Sequence, residues 1–311
     1  MIGAEENDSQ MQLRRWQIHL LVLAAYVLFA LALTWPVAAR LATQVPGTGI
    51  DDPPLTWNLW WVQDALLRQG ANPFDSDYIF YPLGINLAFY TLTVLNGFLS
   101  IPLQATGGLI PASNLVLLSS FVLSGYGVFL LAGYVISRGL GAARSPLLPR
   151  FGAGLLYAFA SSKMAYAALG QWNIASSQWI PFYILCLLLM GEHPRRWRYP
   201  LLAALFLLLQ AYAELTYASF LVLFTALWAV WQFVTRLRSG NLGRLAANLA
   251  RLVADLAIIG AIFIVGLAPV LAMMIPDMMV EGDIFVEKGG FAGAFSADLV
   301  GFLVPTMHHP L

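Results

Sequence analysis

Long apolar runs separated by short polar breaks make up most of this chain. Several runs approach 20 residues, enough for a helix across the ~30 Å hydrocarbon core of a bilayer. The pattern predicts spanning helices over residues 17–39, 114–136, 151–169, 176–190, 200–213, 217–234 and 252–274. Residues 40–112 depart from it. Within them, residues 55–67 carry apolar and aromatic positions at helical spacing, but the stretch is too short and too polar to span. It suits an interfacial helix, with Trp57, Trp60 and Trp61 at the depth of the lipid head groups. Residues 88–110 are apolar yet interrupted by Asn96, Gly97 and Pro102.

The positions of the basic residues set the orientation. Arg14 and Arg15 precede the first run and favour a cytoplasmic N-terminus, with residues 1–16 as a cytoplasmic tail. Arg138, Arg144 and Arg150 follow residues 114–136 and belong on the same inner side. A full crossing by residues 88–110 would put them outside. Parity therefore predicts a re-entrant or surface-lying hairpin there, which is tolerated where it lines a protein cavity. Continuing the count puts Arg195, Arg196, Arg198, Arg236, Arg238, Arg244 and Arg251 inside. Asp51, Asp52, Asp64, Asp75, Asp77, Glu214 and the acids of residues 275–311 fall outside. The expected architecture is an all-α polytopic membrane protein with about seven transmembrane helices plus that hairpin. It has a large first extracytoplasmic loop at residues 40–112 and an outer C-terminal segment at residues 275–311.

Composition agrees. The chain is 59% hydrophobic and 10% charged, with a mean hydropathy of +0.73, whereas soluble domains carry roughly 25% charged residues. Net charge is zero, so no basic surface argues for a nucleic-acid partner. The single Cys186 lies in an apolar run, cannot form an intramolecular disulfide, and reads as a small buried hydrophobe. No small-residue cleavage site follows the first run, so it reads as a retained helix rather than a signal peptide. No P-loop, dinucleotide fingerprint or Ser-His-Asp arrangement stands out. That argues against a nucleotide-driven pump.

The chemistry-bearing stretch is Gly47-Thr-Gly-Ile-Asp51-Asp52-Pro-Pro-Leu-Thr-Trp57-Asn-Leu-Trp60-Trp61. Two adjacent carboxylates beside a membrane are costly to hold near low dielectric. Such surroundings raise proton affinity, which suits a general base. In an extended loop the two side chains point opposite ways. One is then free to face a site while the other caps the following helix, which Pro-Pro favours starting. A plain turn with an N-cap is the alternative.

Asp51-Asp52-Pro-Pro, the helix from Trp57 to Trp61, Asn72-Pro-Phe-Asp75 and Ile79-Phe-Tyr81-Pro82-Leu-Gly84 together carry a resemblance. So do Gln171 through Pro181, and Phe295-Ser-Ala-Asp298 through Pro305 with His308-His309-Pro310. The chain resembles the GT-C class of integral-membrane glycosyltransferases. More narrowly, it is similar to the bacterial group related to the dolichyl-phosphate-mannose-protein mannosyltransferases. The resemblance implies one GT-C-like module over residues 1–311 in the plasma (inner) membrane. It implies transfer of a sugar from a polyprenyl-phosphate donor to an acceptor glycan, lipid or protein on the outer side. It makes Asp51 or Asp52 the catalytic base, and the sequence does not choose between them.

Two departures from the family shape the expectation. Many members carry a second acidic residue in the second outer loop, where this chain has Gln171 and Asn173. That speaks against a two-carboxylate site for a divalent metal. Relatives also continue for several more helices, so the chain reads as a truncated member or a minimal module. Two other functions stay open: a non-catalytic or degenerate subunit of a larger assembly, and a lipid or sugar transporter.

The remaining candidates bind substrate. Lys163, an ionisable residue within a spanning run, is a candidate for the donor phosphate or for snorkelling to the interface. Arg68 and Arg40 are alternative phosphate partners or interfacial anchors. Glu214, between Tyr212 and Tyr217, sits at an outer turn and faces either the cavity or solvent. Gln171 lies in the second outer loop. His308 and His309 are paired without a third metal ligand, so no metal site is expected from them. Phe80, Tyr81 and Tyr90 suit sugar stacking or plain packing.

Overall fold

We describe the protein from a computed structural model that covers residues 2–140, 146–193, 196–238 and 242–281. These residues are overwhelmingly helical. The strand pairing among them is one two-stranded antiparallel hairpin, Asp75–Ser76 with Ile85–Asn86. Contacts divide the chain into two units, Met1–Ala268 and Pro269–Leu311. The described part of the second is helical to Glu281, with Pro276 inside the helix.

Five helical segments are long and apolar enough to cross a membrane, over Trp16–Leu33, Leu109–Leu140, Trp172–Glu192, Leu215–Arg238 and Ala246–Gly266, the third of them interrupted between Ala175 and Ile180. Two further expected spans take a different form. Residues 151–169 are two helices, α5 (Leu147–Ala158) and α6 (Ser161–Ala168), broken at Phe159 and Ala160. Residues 200–213 belong to α9 (Arg198–Ala213), whose 16 residues reach about 24 Å. The last run ends earlier than its apolarity suggests. Helix α11 (Leu242–Gly266) stops before Leu267, and α12 (Ala268–Glu281) begins anew.

The core is organised on α4 (Leu109–Leu140), which packs against α1 (Ile2–Leu33), α2 (Asp52–Gln63), α3 (Val94–Gly107), α5 and α8 (Ile180–Glu192). Small residues permit these approaches, as in membrane helix pairs that lack a hydrophobic driving force. A Cβ at Gly125 would lie 2.8 Å from the Tyr26 ring, and one at Gly127 would lie 2.9 Å from Phe182. By contrast, α1, α10 (Leu215–Arg238) and α11 bury only 17%, 17% and 11% of their spanning windows. Their exposed side chains include Leu21, Leu28, Phe220, Leu227, Ile264 and Val265, as a lipid-facing surface requires.

Helix α2 differs from the interfacial strip its tryptophans suggest. Leu55, Leu59 and Val62 recur on one face and are buried. Leu55 and Leu59 share a core with Leu117, Phe121 and Trp172. Trp61 is 1% exposed, and its indole N–H donates to the Pro73 carbonyl at 2.9 Å. The helix continues into a π-helical segment, Asp64–Gln69, that Gly70 closes in the left-handed conformation. Within residues 88–110, α3 has 14 residues, about 21 Å, short of the hydrocarbon core. Gly108 separates it from α4, whose first turn begins at Leu109, inside the stretch expected to be loop.

Candidate active site

The N-terminus of α2 explains why Asp51 is free for chemistry. Asp51 occupies the N-cap position, where a side chain ordinarily accepts from the second or third helical N–H. Those positions are Pro53 and Pro54, which have no N–H. Asp51 accordingly makes no cap hydrogen bond. Its Oδ2 instead accepts from Gln171 Nε2 at 2.7 Å, across 120 residues of chain. Asp52 does not cap either. Its Oδ1 accepts from the Gly49 N–H at 2.7 Å and closes the preceding loop. The adjacent acids therefore have different roles: Asp52 folds its own loop, and Asp51 joins another.

The second loop fits tightly against this site. Gly170 has a φ of +82°, and a Cβ there would lie 2.6 Å from the Asp52 Cβ and 3.1 Å from the Asp52 backbone nitrogen. Only glycine meets both conditions. Gln171 then precedes the four-residue helix α7 (Trp172–Ala175). Two residues on, Asn173 Nδ2 donates to Glu214 Oε2 at 2.9 Å. Glu214 Oε1 also accepts from the Thr216 N–H at 3.2 Å, and the Tyr217 hydroxyl donates to the Ile174 carbonyl at 2.8 Å. Two carboxylates, from residues 51 and 214, are thus each gripped by an amide of one short loop. Tyr90 is near Asp51. Burial and the Asp51 carboxylate push its phenol above the ordinary value, so it remains a protonated hydrogen-bond donor.

Buried and half-buried polar residues from four helices hold this loop. Asn96 Nδ2 donates to Ser176 Oγ at 2.8 Å, and Gln210 Nε2 donates to the Ser176 carbonyl at 2.8 Å. The Tyr157 hydroxyl donates to the Ser177 carbonyl at 2.9 Å. Lys163 belongs to the same support. It is 6% exposed, and its ammonium donates to Ser120 O at 3.2 Å, Ser124 Oγ at 2.6 Å and Ser177 Oγ at 3.4 Å. Three donors on three acceptors is the full complement of a lysine. Gln210, Ser176 and Ser177 did not figure among the sequence candidates. The available signal was a polar residue interrupting an apolar run, since burial there obliges a hydrogen-bond partner.

The other candidates lie elsewhere. Arg68 is exposed and 3.4 Å from Asp64, one turn earlier on the π-helical segment. Arg40 is exposed and donates to Gln44 Oε1 at 2.8 Å. Phe80 and Tyr81 are 68% and 80% exposed; no ring contact joins them to Tyr90 among the described residues. His308 and His309 fall outside the described residues, as does Asp298. Among the described residues no group of three or more His, Cys, Asp or Glu is placed to hold a metal ion.

The resulting arrangement is a half-buried carboxylate with one oxygen oriented by a neutral amide, a protonated phenol within its electrostatic reach and a second carboxylate held by the same short loop. It suits taking a proton from a hydroxyl. No family model, curated protein or solved structure matches the chain.

Proposed function

We propose that the protein is a membrane glycosyltransferase of the GT-C kind, moving a sugar from a polyprenyl-phosphate donor to a hydroxyl acceptor. The single observation that carries this reading is the Gln171–Asp51 hydrogen bond at 2.7 Å. It fixes a carboxylate without giving it a countercharge, at a loop built on small and neutral residues. In this reading Asp51 accepts the acceptor hydroxyl proton as the acceptor oxygen bonds to the anomeric carbon. The bond from that carbon to the phosphate oxygen breaks, and the lipid phosphate departs with the electron pair. Positioned proton transfer of this kind contributes roughly 10²–10⁴-fold in rate. Glu214 orients a sugar hydroxyl, and Arg40, exposed at the foot of α1, meets the phosphate. The chain lies in the plasma membrane with its N-terminus in the cytoplasm and the Asp51 loop outside. Broken α5–α6 and short α9 complete seven crossings.

The test uses purified protein in proteoliposomes carrying polyprenyl-phosphate hexose labelled in the sugar, with a membrane glycan extract as acceptor. Label is expected to leave the lipid phosphate and appear covalently in acceptor. Label that stays on the lipid, or crosses the bilayer unchanged, overturns the reading.

A further inference from the structure

A cavity of about 170 Å³ lies between the end of α2, the π-helical segment, α3 and the start of α4, and is lined by Trp60, Gln63, Asp64, Arg68, Gln104 and Leu109. Pockets for drug-sized ligands run to ~300–1,000 Å³, so this one suits a single ring. Its walls have two characters. Trp60 offers a flat apolar surface, braced on its other neighbours by Tyr78 at 5.6 Å and Trp61 at 6.4 Å between ring centroids. Leu109 extends that surface. The rest is hydrogen-bonding: Asp64 accepts only, Arg68 donates only, Gln63 does both, and Gln104 has its carbonyl oxygen left to accept.

The charges select the ligand. The Asp64 carboxylate is buried, with 8% of its side chain exposed, and it is already satisfied by Gln69 Nε2 at 2.8 Å and Arg68 at 3.4 Å. Arg68 is thereby offset and the cavity is close to neutral. A phosphate would meet the buried carboxylate at close range and be repelled. Gln63 has no side-chain hydrogen bond among the described residues, and Gln104 Nε2 is held on Leu59 O and Ser100 Oγ at 2.9 and 2.8 Å. A neutral ring with one apolar face and a rim of hydroxyls matches these groups. The wall is also a π-helical segment, a departure from α-helix that is frequent at functional sites.

We propose that this cavity binds one hexose unit of a neutral oligosaccharide, as an acceptor subsite that rests on the glycosyltransferase reading. The helical path from Asp51 to Asp64 rises about 20 Å. One sugar does not reach both, so the acceptor is a chain of several units, held at Trp60 and extended at Asp51. The cavity measures the acceptor's length.

The experiment is binding of detergent-purified protein to an array of neutral hexose oligosaccharides of two to six units, with acidic oligosaccharides and inorganic phosphate as competitors. Wild type is expected to retain neutral oligosaccharides of four or more units and to ignore the competitors. Asp64→Asn and Trp60→Phe should weaken retention about tenfold or more. Arg68→Gln, at an exposed position that folding tolerates, should weaken it several-fold. Absence of binding across the array, equal binding by Arg68→Gln and wild type, or displacement by phosphate overturns the proposal. Binding without any sugar transfer leaves this site standing and removes the transferase reading. Transfer without array binding does the reverse.

Discussion

Two carboxylate sites at opposite ends of the helix bundle are held in opposite ways. At one end, where α4 and α8 finish, Glu192 pairs directly with Arg138. Nearby guanidinium groups are also occupied: Arg150 lies 4.0 Å from the centroid of the Phe129 ring, and Arg236 donates to the Asn248 carbonyl at 3.0 Å. At the other end Asp51 is held by Gln171 and Glu214 by Asn173, and neither joins an ion pair among the described residues. A cation beside a carboxylate stabilises its charged form and makes it a poor proton acceptor, whereas a neutral amide orients it at less electrostatic expense. The Arg138 end reads as an anchor at the membrane surface. The Asp51 end reads as a place where a carboxylate remains available.

Removing the carboxylate itself should have the largest effect. Asp51→Asn keeps the shape and the contact with Gln171 but removes the proton acceptor, so sugar transfer should fall about 10²–10⁴-fold with expression unchanged. Asp52→Asn, which touches the Gly49 loop closure, should cost far less. Equal losses in the two variants would erase the distinction between the adjacent acids.

Next comes the fit between the two loops. Gly170→Ala forces an L-residue into a left-handed conformation, which costs roughly 1–2 kcal/mol, and drives its Cβ into Asp52. Thermal unfolding in detergent should fall by about 2–8 °C, and transfer should fall with it. A Gly170→Ala protein as stable and active as wild type would mean that the loops do not need their close approach.

The smallest effect belongs to the other end. Arg138 has 57% of its side chain exposed, and exposed pairs contribute only about 0–1 kcal/mol. Arg138→Gln should therefore leave transfer unchanged and shift unfolding by no more than a few degrees, read in the same assays. A large loss of transfer would show that the two ends are coupled and not merely different.

Much of the scaffold is readable from hydropathy, because a bilayer demands about 20 apolar residues per crossing; α1, α4, α10 and α11 follow that rule. The break at Phe159 and Ala160 leaves no such mark, since both residues continue an apolar run. Burial of Trp61 is also hidden, because indoles suit an interface and a core equally well. At the site, Asp52-Pro-Pro announces a helix start, and the missing N–H groups of Pro53 and Pro54 already imply an N-cap carboxylate with nothing to cap. Its actual partner, Gln171, lies 120 residues away, and no local pattern encodes such a pairing. Lys163 stands out in the sequence as an intramembrane charge, but only the packing reveals three serine-borne oxygens around it.

The most direct test of the central claim converts one end into the other by placing a cation where the neutral amide stands. In Gln171→Lys, the new ammonium should pair with Asp51 as Arg138 pairs with Glu192. Measured as initial transfer rate against pH in proteoliposomes, the plateau should fall and the acidic limb should move to lower pH, because a nearby positive charge favours the deprotonated carboxylate and weakens it as a base. A pH–rate profile identical to wild type in height and position would contradict the account.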